Sequence, residues 1–244
     1  MIMDAYGDFA YIYDRLMHDD VDYDKWCDYI ESLMAAEGCE PDTICELACG
    51  TGSITSRLEA RGYRMTGVDI SADMIEVARK KTRRAEYVCE NMARYCPEKK
   101  FGACLCMIDG MNYVIAPKLA ERVFKNVRGC LEPGGVFIFD VSSRYKLKEI
   151  IGDETFIHSE YDVFYSWQNR YTERYNISDM LLNFFVRRGD TYERFEERHL
   201  QRAYTERELK VLLGRAGFEN VKCFGELTFE PPKPEEQRLV FVCS

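Results

Sequence analysis

The segment Glu46-Leu47-Ala48-Cys49-Gly50-Thr51-Gly52-Ser53 sets the architecture of this chain. Thr43–Ala48 reads as a short apolar strand, and the residues from Ser53 through Leu58 read as a helix. Between them Gly-x-Gly lets the backbone turn sharply and lets a ligand approach with no Cβ in the way. Alone, that turn is a weak signal, because many loops contain it. Context gives it weight: Arg64–Val68 reads as the next strand and ends at Asp69. A carboxylate there can accept both hydrogen bonds of a ribose diol.

Outward from this segment the alternation continues. Ala72–Lys81 reads as a helix with Met74, Ile75 and Ala78 on its apolar face, Glu86–Cys89 as a third strand and Ala103–Ile108 as a fourth. Leu119–Leu131 is helical, stopped by Pro133-Gly134-Gly135, and Val136–Val141 is a fifth strand. Strands separated by helices imply parallel pairing with right-handed crossovers. After Ser143 the pattern changes to a stretch rich in Tyr, Phe, Trp and Arg, with strand-like runs at Val163–Tyr171, Met180–Arg188 and Tyr192–Leu200. Gly189-Asp190 joins the last two as a hairpin turn. Thr205-Glu206-Arg207-Glu208 is a capping-box pattern opening a helix that ends at Gly217. Val221–Gly225 and Leu239–Cys243 then flank the Pro231-Pro232-Lys233-Pro234 connection. Upstream, Phe9, Ile12, Tyr13 and Leu16, then Trp26, Tyr29, Ile30, Leu33 and Met34, recur at helical spacing. The expected fold is α/β: a Rossmann-like, doubly wound, mostly parallel seven-stranded sheet with helices on both faces, plus an inserted small antiparallel β-sheet. Residues 1–38 are expected to cap the active site, 39–150 and 203–244 to form the core, and 151–202 to form the inserted lid.

A length of 244 residues and an apolar share of 46% fill one sizeable core. The net charge of −9 disfavours sequence-independent nucleic-acid binding, which rests on many Lys and Arg contacts to phosphates. The opening MIMDAYGDFAYIYD has early acids and no basic-then-apolar leader, and no apolar run approaches the roughly 20 residues that span a bilayer. The expectation is a cytoplasmic protein with no membrane partner, a monomer or a homodimer. Eleven cysteines then act as small hydrophobes, as at Cys45, Cys49, Cys104, Cys106 and Cys243. No CxxC pair occurs, and His18, His158 and His199 lie far apart, so no metal site is expected.

The cofactor is narrowed by what the turn lacks. A dinucleotide fingerprint wants a small residue where Thr55 stands, and no Gly-x-x-x-x-Gly-Lys-Ser/Thr occurs. Glu46 would be misplaced beside a pyrophosphate, but suits a ligand carrying an amino group and a sulfonium. Glu-x-x-x-Gly-x-Gly, the acid closing the second strand and the terminal strand pair resemble the class I S-adenosylmethionine-dependent methyltransferases, over roughly Thr43 to Val141 and again from Thr205 to the end. Phe9-Ala10-Tyr11-Ile12-Tyr13-Asp14, Tyr23-Asp24-Lys25-Trp26 and Asp109-Gly110-Met111-Asn112-Tyr113 resemble a bacterial small-molecule-type subfamily with an inserted β-sheet.

That resemblance implies S-adenosyl-L-methionine as cofactor, with Ala48, Gly50 and Gly52 in the turn beneath its methionine part. It implies Glu46 at the amino group, Asp69 at the ribose, Ile70 and Met74 on the adenine, and Asn91-Met92 on the adenine's other side. Met107 would supply backbone contacts and Tyr13 would cap the methionine end. The implied partner is a small-molecule methyl acceptor with an N or O nucleophile. The region Met107-Ile108-Asp109-Gly110-Met111 lacks the Asp/Asn-Pro-Pro-Tyr/Phe motif of DNA amino-methyltransferases, and DNA is not an expected substrate. Candidates for the acceptor side are Tyr11, Asp109, Asn112, Tyr113, Trp167, His199 and Arg202, with His199, Tyr11 and Asp109 as candidates for chemistry. For several a second role stays open: His199 as a base or as a histidine bonded within the sheet, Asp109 as a helix cap, and Trp167 as part of a small core or an aromatic cage.

Overall fold

The computed structural model describes residues 5–244; the side chains of residues 5–8, 18 and 19 lie outside the description, His18 among them. Helix α1 (Ala5–Asp20) leads into α2 (Tyr23–Ala36), which is opened by the Asp22 carboxylate accepting from the Lys25 backbone N–H at 3.0 Å. The alternating region follows as β1 (Thr43–Leu47), α3 (Ser53–Ala60), β2 (Arg64–Asp69), α4 (Ala72–Lys81), β3 (Glu86–Cys89), β4 (Phe101–Cys106), α5 (Pro117–Cys130) and β5 (Leu131–Ser142). Four strands come next, β6 (Thr155–Glu160), β7 (Val163–Thr172), β8 (Ile177–Arg188) and β9 (Thr191–Arg202), and the chain ends in α6 (Glu206–Ala216), β10 (Val221–Phe224) and β11 (Arg238–Cys243).

The main sheet has the order β10-β11-β5-β4-β1-β2-β3, and β11 alone runs against its neighbours. Period-two alternation divides the side chains between two faces. Phe137, Phe139 and Phe241 point to one face and meet Phe124 and Val127 of α5 and Leu209 and Leu213 of α6. Ile138, Val240 and Leu105 point to the other and meet Trp26, Ile30 and Leu33 of α2 and Ile54 and Leu58 of α3. Directly paired across β5 and β11, the Phe139 and Phe241 rings stack at 4.8 Å. Cys45, Cys104 and Cys106 are buried free thiols within this packing. Among the described residues no helix is long and apolar enough to cross a membrane.

The second sheet, β6-β7-β8-β9, is antiparallel throughout. One part of its inner face, with Val163, Phe184 and Val186, packs on Ile12 and Leu16 of α1. Another part, with Met180, packs on Leu147 and Ile151 of a π-helical turn spanning Lys146–Ile151. Several boundaries differ from the sequence reading: β5 begins at Leu131 rather than Val136, β8 at Ile177 rather than Met180, and α5 at Pro117 rather than Leu119. β4 spans Phe101–Cys106 rather than Ala103–Ile108, and it ends early because Ile108 and Asp109 take left-handed backbone conformations (φ 54° and 65°) that carry the chain out of the sheet. The strand β6 and the π-helical turn were not anticipated.

Candidate active site

In an open α/β sheet a ligand crevice forms at the carboxyl ends of the strands, where the order reverses. Here that point lies between β1 and β4. Ala48, Gly50 and Gly52 turn the chain out of β1 with φ of 52°, 53° and 71°. The two glycines serve different ends. A Cβ on Gly50 would meet nothing within 4 Å, so its open side is the crevice itself. A Cβ on Gly52 would stand 2.8 Å from the Tyr87 hydroxyl and 2.9 Å from the Ala78 Cβ, so Gly52 lets α3 and α4 approach. The crevice is lined by Tyr13, Glu46, Ala48, Gly50 and Met107, together with Tyr23, Cys49, Thr51, Ser53, Ile54 and Ile108.

Two carboxyls flank the turn. Asp69 closes β2; its Oδ2 accepts from the Gly50 N–H at 2.8 Å and its Oδ1 from the Ser71 N–H at 2.9 Å. Each carboxylate oxygen accepts more than one bond, so capacity remains for a diol. Burial raises its pKa while those N–H bonds oppose the rise. Glu46 is only 3% exposed and accepts from the Thr55 hydroxyl. Burial pushes its carboxyl up to about 7, against the Thr55 bonds that favour the ionised form. Thr55, too large for a dinucleotide turn, is thus the residue that holds Glu46 in place.

A polar cluster ties α1 to the turn. The Thr51 hydroxyl donates to Asp14 Oδ1 at 2.5 Å, and Lys81 Nζ donates to Ser53 Oγ at 2.7 Å and to Asp14. Tyr13, one residue from this clasp, is thereby held against the crevice. Its burial keeps the hydroxyl neutral, with a pKa well above the usual value. Sequence reasoning missed Asp14, Thr51, Ser53 and Lys81, whose only local signal was a hydroxyl on either side of Gly52.

Above the crevice, aromatic rings join three elements. Phe9 lies 5.8 Å from Tyr13 and 6.0 Å from His199 of β9, and His199 lies 5.8 Å edge-on from Tyr113. Burial lowers the His199 pKa, so its imidazole is neutral at neutral pH. Asp109 stands at the N-cap of the short 3-10 turn Gly110–Tyr113, but its side chain makes no capping bond there. Its carboxylate meets Arg238 at 2.7 Å and accepts from the Ser142 hydroxyl at 2.9 Å. Burial alone would raise its pKa, but the Arg238 charge prevails and holds it below the ordinary range. Arg238 also pairs with Asp140, whose carboxylate accepts from the Ile108 and Asp109 N–H groups and so fixes the left-handed turn after β4.

Other anticipated residues stand elsewhere. The Tyr11 hydroxyl meets Lys80 on the outer side of α1, away from the crevice. Asn112 is fully buried and spends its amide on the Ser142 backbone and the Arg202 carbonyl. The Arg202 guanidinium bonds the Tyr175 carbonyl and Glu208, which fastens β9 to α6. All three side chains thus bond other parts of the chain. Ile70 is 68% exposed beside Asp69, Met74 follows it at the start of α4, Asn91 caps its own turn through Ala93, and Met92 packs against the core.

A methyltransferase-domain family model matches residues 44–135. The YqeM protein of Bacillus subtilis (strain 168), a methyltransferase by name, is 33% identical over 97% of this chain and 95% of its own length. An S-adenosylmethionine-dependent methyltransferase from Clostridium acetobutylicum ATCC 824 superposes with a TM-score of 0.89, at 32% identity and over 99% of both chains. CalS10 of Micromonospora echinaspora, an amino pentose methyltransferase solved with S-adenosylmethionine bound, shares the fold at a TM-score of 0.77 and 17% identity, over 95% of each chain. The residues present fit that cofactor: open space at Gly50, a half-satisfied carboxylate at Asp69 and a buried acid at Glu46. From its crevice, its sheet order and these relatives together, the chain belongs to the S-adenosylmethionine-dependent methyltransferases.

Proposed function

We propose that this enzyme methylates a small-molecule acceptor at a nitrogen or oxygen held between the crevice and the second sheet. The observation that carries the reading is His199, seated between Phe9 and Tyr113 and kept neutral by burial. S-adenosylmethionine supplies an electrophilic methyl group on its sulfonium. The protein's tasks are to align the acceptor, exclude water and remove a proton, and alignment alone contributes on the order of 7–11 kcal/mol at best. Tyr13 and Tyr113 wall the acceptor space, and His199 receives the proton. Aromatic rings from α1 and β9 set beside the crevice suit a compact acceptor better than a polymer. Incubation of labelled cofactor with a cell extract is expected to leave label in the ultrafiltrate; label confined to RNA or protein would overturn the reading.

His199→Gln is expected to lower kcat about a hundredfold, with S-adenosylhomocysteine affinity held within about twofold. In the parent enzyme, activity should fall as pH drops through the depressed histidine pKa, because only the neutral ring accepts a proton. Retention of full activity by the variant would assign His199 to packing alone.

Glu46 makes cofactor affinity depend on pH. Its carboxyl, near 7 in the free enzyme, is pulled down when the cofactor's ammonium arrives, so binding releases a proton. Affinity should rise up to about tenfold per unit below pH 7 and fall again above about 8, where the α-amino group itself deprotonates. Calorimetry across pH tests this, and Glu46→Gln should abolish the acid limb. A flat acid limb in the parent enzyme would place the amino group away from Glu46.

A further inference from the structure

The clasp between α1 and the glycine turn leaves one hydroxyl proton for the crevice. An ammonium can only donate, so Ser53 Oγ accepts from Lys81 Nζ at 2.7 Å. Asp14 Oδ1 already accepts from Thr51 at 2.5 Å and from Lys81, and Ser53 Oγ stands 3.5 Å away, too far to compete. The Ser53 proton has a better acceptor in Tyr23, the first residue of α2. Burial pushes the Tyr23 hydroxyl up to about 12, and a hydrogen bond with Ser53 opposes the rise. A bond that lowers a phenol's pKa is one that the phenol oxygen accepts. Ser53 therefore donates to Tyr23, and the Tyr23 O–H, protonated at neutral pH, ends the chain as a free donor. Tyr23 is 6% exposed and lines the crevice beside Ser53.

The charges near this donor are matched within the chain. Lys81 pairs with Asp14, and Arg57, which stands 5.2 Å from the Tyr23 ring, pairs with Asp24 at 3.2 Å. What stays open here is donor capacity. Helix α3 adds to it: Gly52 is its N-cap and offers no side chain, so the positive end of the helix at Ser53 and Ile54 borders the same crevice. Glu46 lines that crevice too. An acid at Glu46 and donors at Ser53 and Tyr23 complement an amino-acid zwitterion, whose ammonium seeks the first and whose carboxylate seeks the second.

We propose that Tyr23 and Ser53 hold the carboxylate of the cofactor's methionine part, with Lys81 as the positioning residue that directs the Ser53 hydroxyl. The subsite concerns the amino-acid end of the cofactor and is independent of which acceptor is methylated. Without Lys81, Ser53 loses the bond that orients it, and the Asp14 carboxylate is left to repel a second anion.

The test compares two ligands by calorimetry: S-adenosylhomocysteine, and its decarboxylated analogue with hydrogen in place of the carboxylate. Both keep the amine that Glu46 is to meet, so the ratio of their affinities isolates the carboxylate. A change in crevice shape that weakens both ligands alike cancels from that ratio. The parent enzyme is expected to favour S-adenosylhomocysteine at least about tenfold. Tyr23→Phe and Ser53→Ala each leave one hydroxyl, and each should keep a ratio between that of the parent and unity. The double variant should bring the ratio to within about threefold of unity. Lys81→Met should lower the ratio by about threefold or more, whereas a lysine that only ties α1 to the turn would weaken both ligands equally. A parent ratio near unity, or a double variant that keeps the parent's ratio, overturns the subsite. An unchanged ratio in Lys81→Met overturns the positioning role of that lysine.

Discussion

Arg238→Met should destabilise the enzyme by about 3–5 kcal/mol, because it strands buried carboxylates that the guanidinium now neutralises. Arg238 is 8% exposed and Asp140 is wholly buried. The guanidinium meets Asp140, Asp109 at 2.7 Å and Glu226 at 3.2 Å, and stands 5.6 Å from the Trp26 ring. Methionine keeps most of the apolar stem against Trp26, so the loss measured is chiefly electrostatic. Even with Arg238 present, burial pushes the Asp140 carboxyl up to about 6. Without Arg238 it rises further, and so does Asp109. A carboxyl whose folded pKa exceeds its unfolded value binds its proton more tightly in the folded state. The variant should therefore be weakest at high pH and regain stability as pH falls through this raised pKa, which lies above 6. Urea unfolding at pH 8 and at pH 5.5 checks both the size and the sign. At pH 8 the melting temperature should drop by about 10 °C for a chain of this size. A loss under about 1 kcal/mol would mean that water already screens the cluster.

That cluster marks where the sequence stops being readable. Helix α4 and strand β3 lie at Ala72–Lys81 and Glu86–Cys89, the bounds their local patterns implied, because period and capping are properties of neighbouring residues. The glycine turn and Asp69 were legible for the same reason. Arg238 was not: its two aspartate partners lie 98 and 129 positions away in the chain. Ile108 looked like the end of an apolar strand, yet Asp140 holds its N–H and that of Asp109 in a left-handed turn. Strand β6, TFIHSE, is exposed along almost its whole length and carries no hydrophobic alternation to detect. Pairing with β7 makes it a strand, and that is a tertiary fact. Around the crevice, Glu46 and Gly50 were anticipated from their motif, whereas the Asp14–Lys81 clasp joins helices separated by the first two strands.

Asp69→Ala should weaken S-adenosylhomocysteine binding by about 3 kcal/mol, on the order of a hundredfold. Two losses combine. The ribose diol loses a charged acceptor, and the Gly50 and Ser71 N–H groups, now bonded at 2.8 and 2.9 Å, lose theirs. The second loss matters because Gly50 sits at φ 53° with open space beside it, so its hydrogen bond to Asp69 is a principal restraint on the turn. Asp69→Asn separates the two contributions. Its carbonyl oxygen can keep one backbone bond, but its amide cannot accept a second, and the charge is gone. Asn should therefore fall between the parent and Ala in affinity, with stability closer to the parent. Calorimetry with S-adenosylhomocysteine and thermal unfolding of the same three proteins read both quantities. If Ala binds as tightly as the parent, this carboxylate serves the turn alone and the ribose is held elsewhere. If Asn matches Ala in affinity while keeping the stability of the parent, the charge at the diol, rather than the order of the loop, governs cofactor binding.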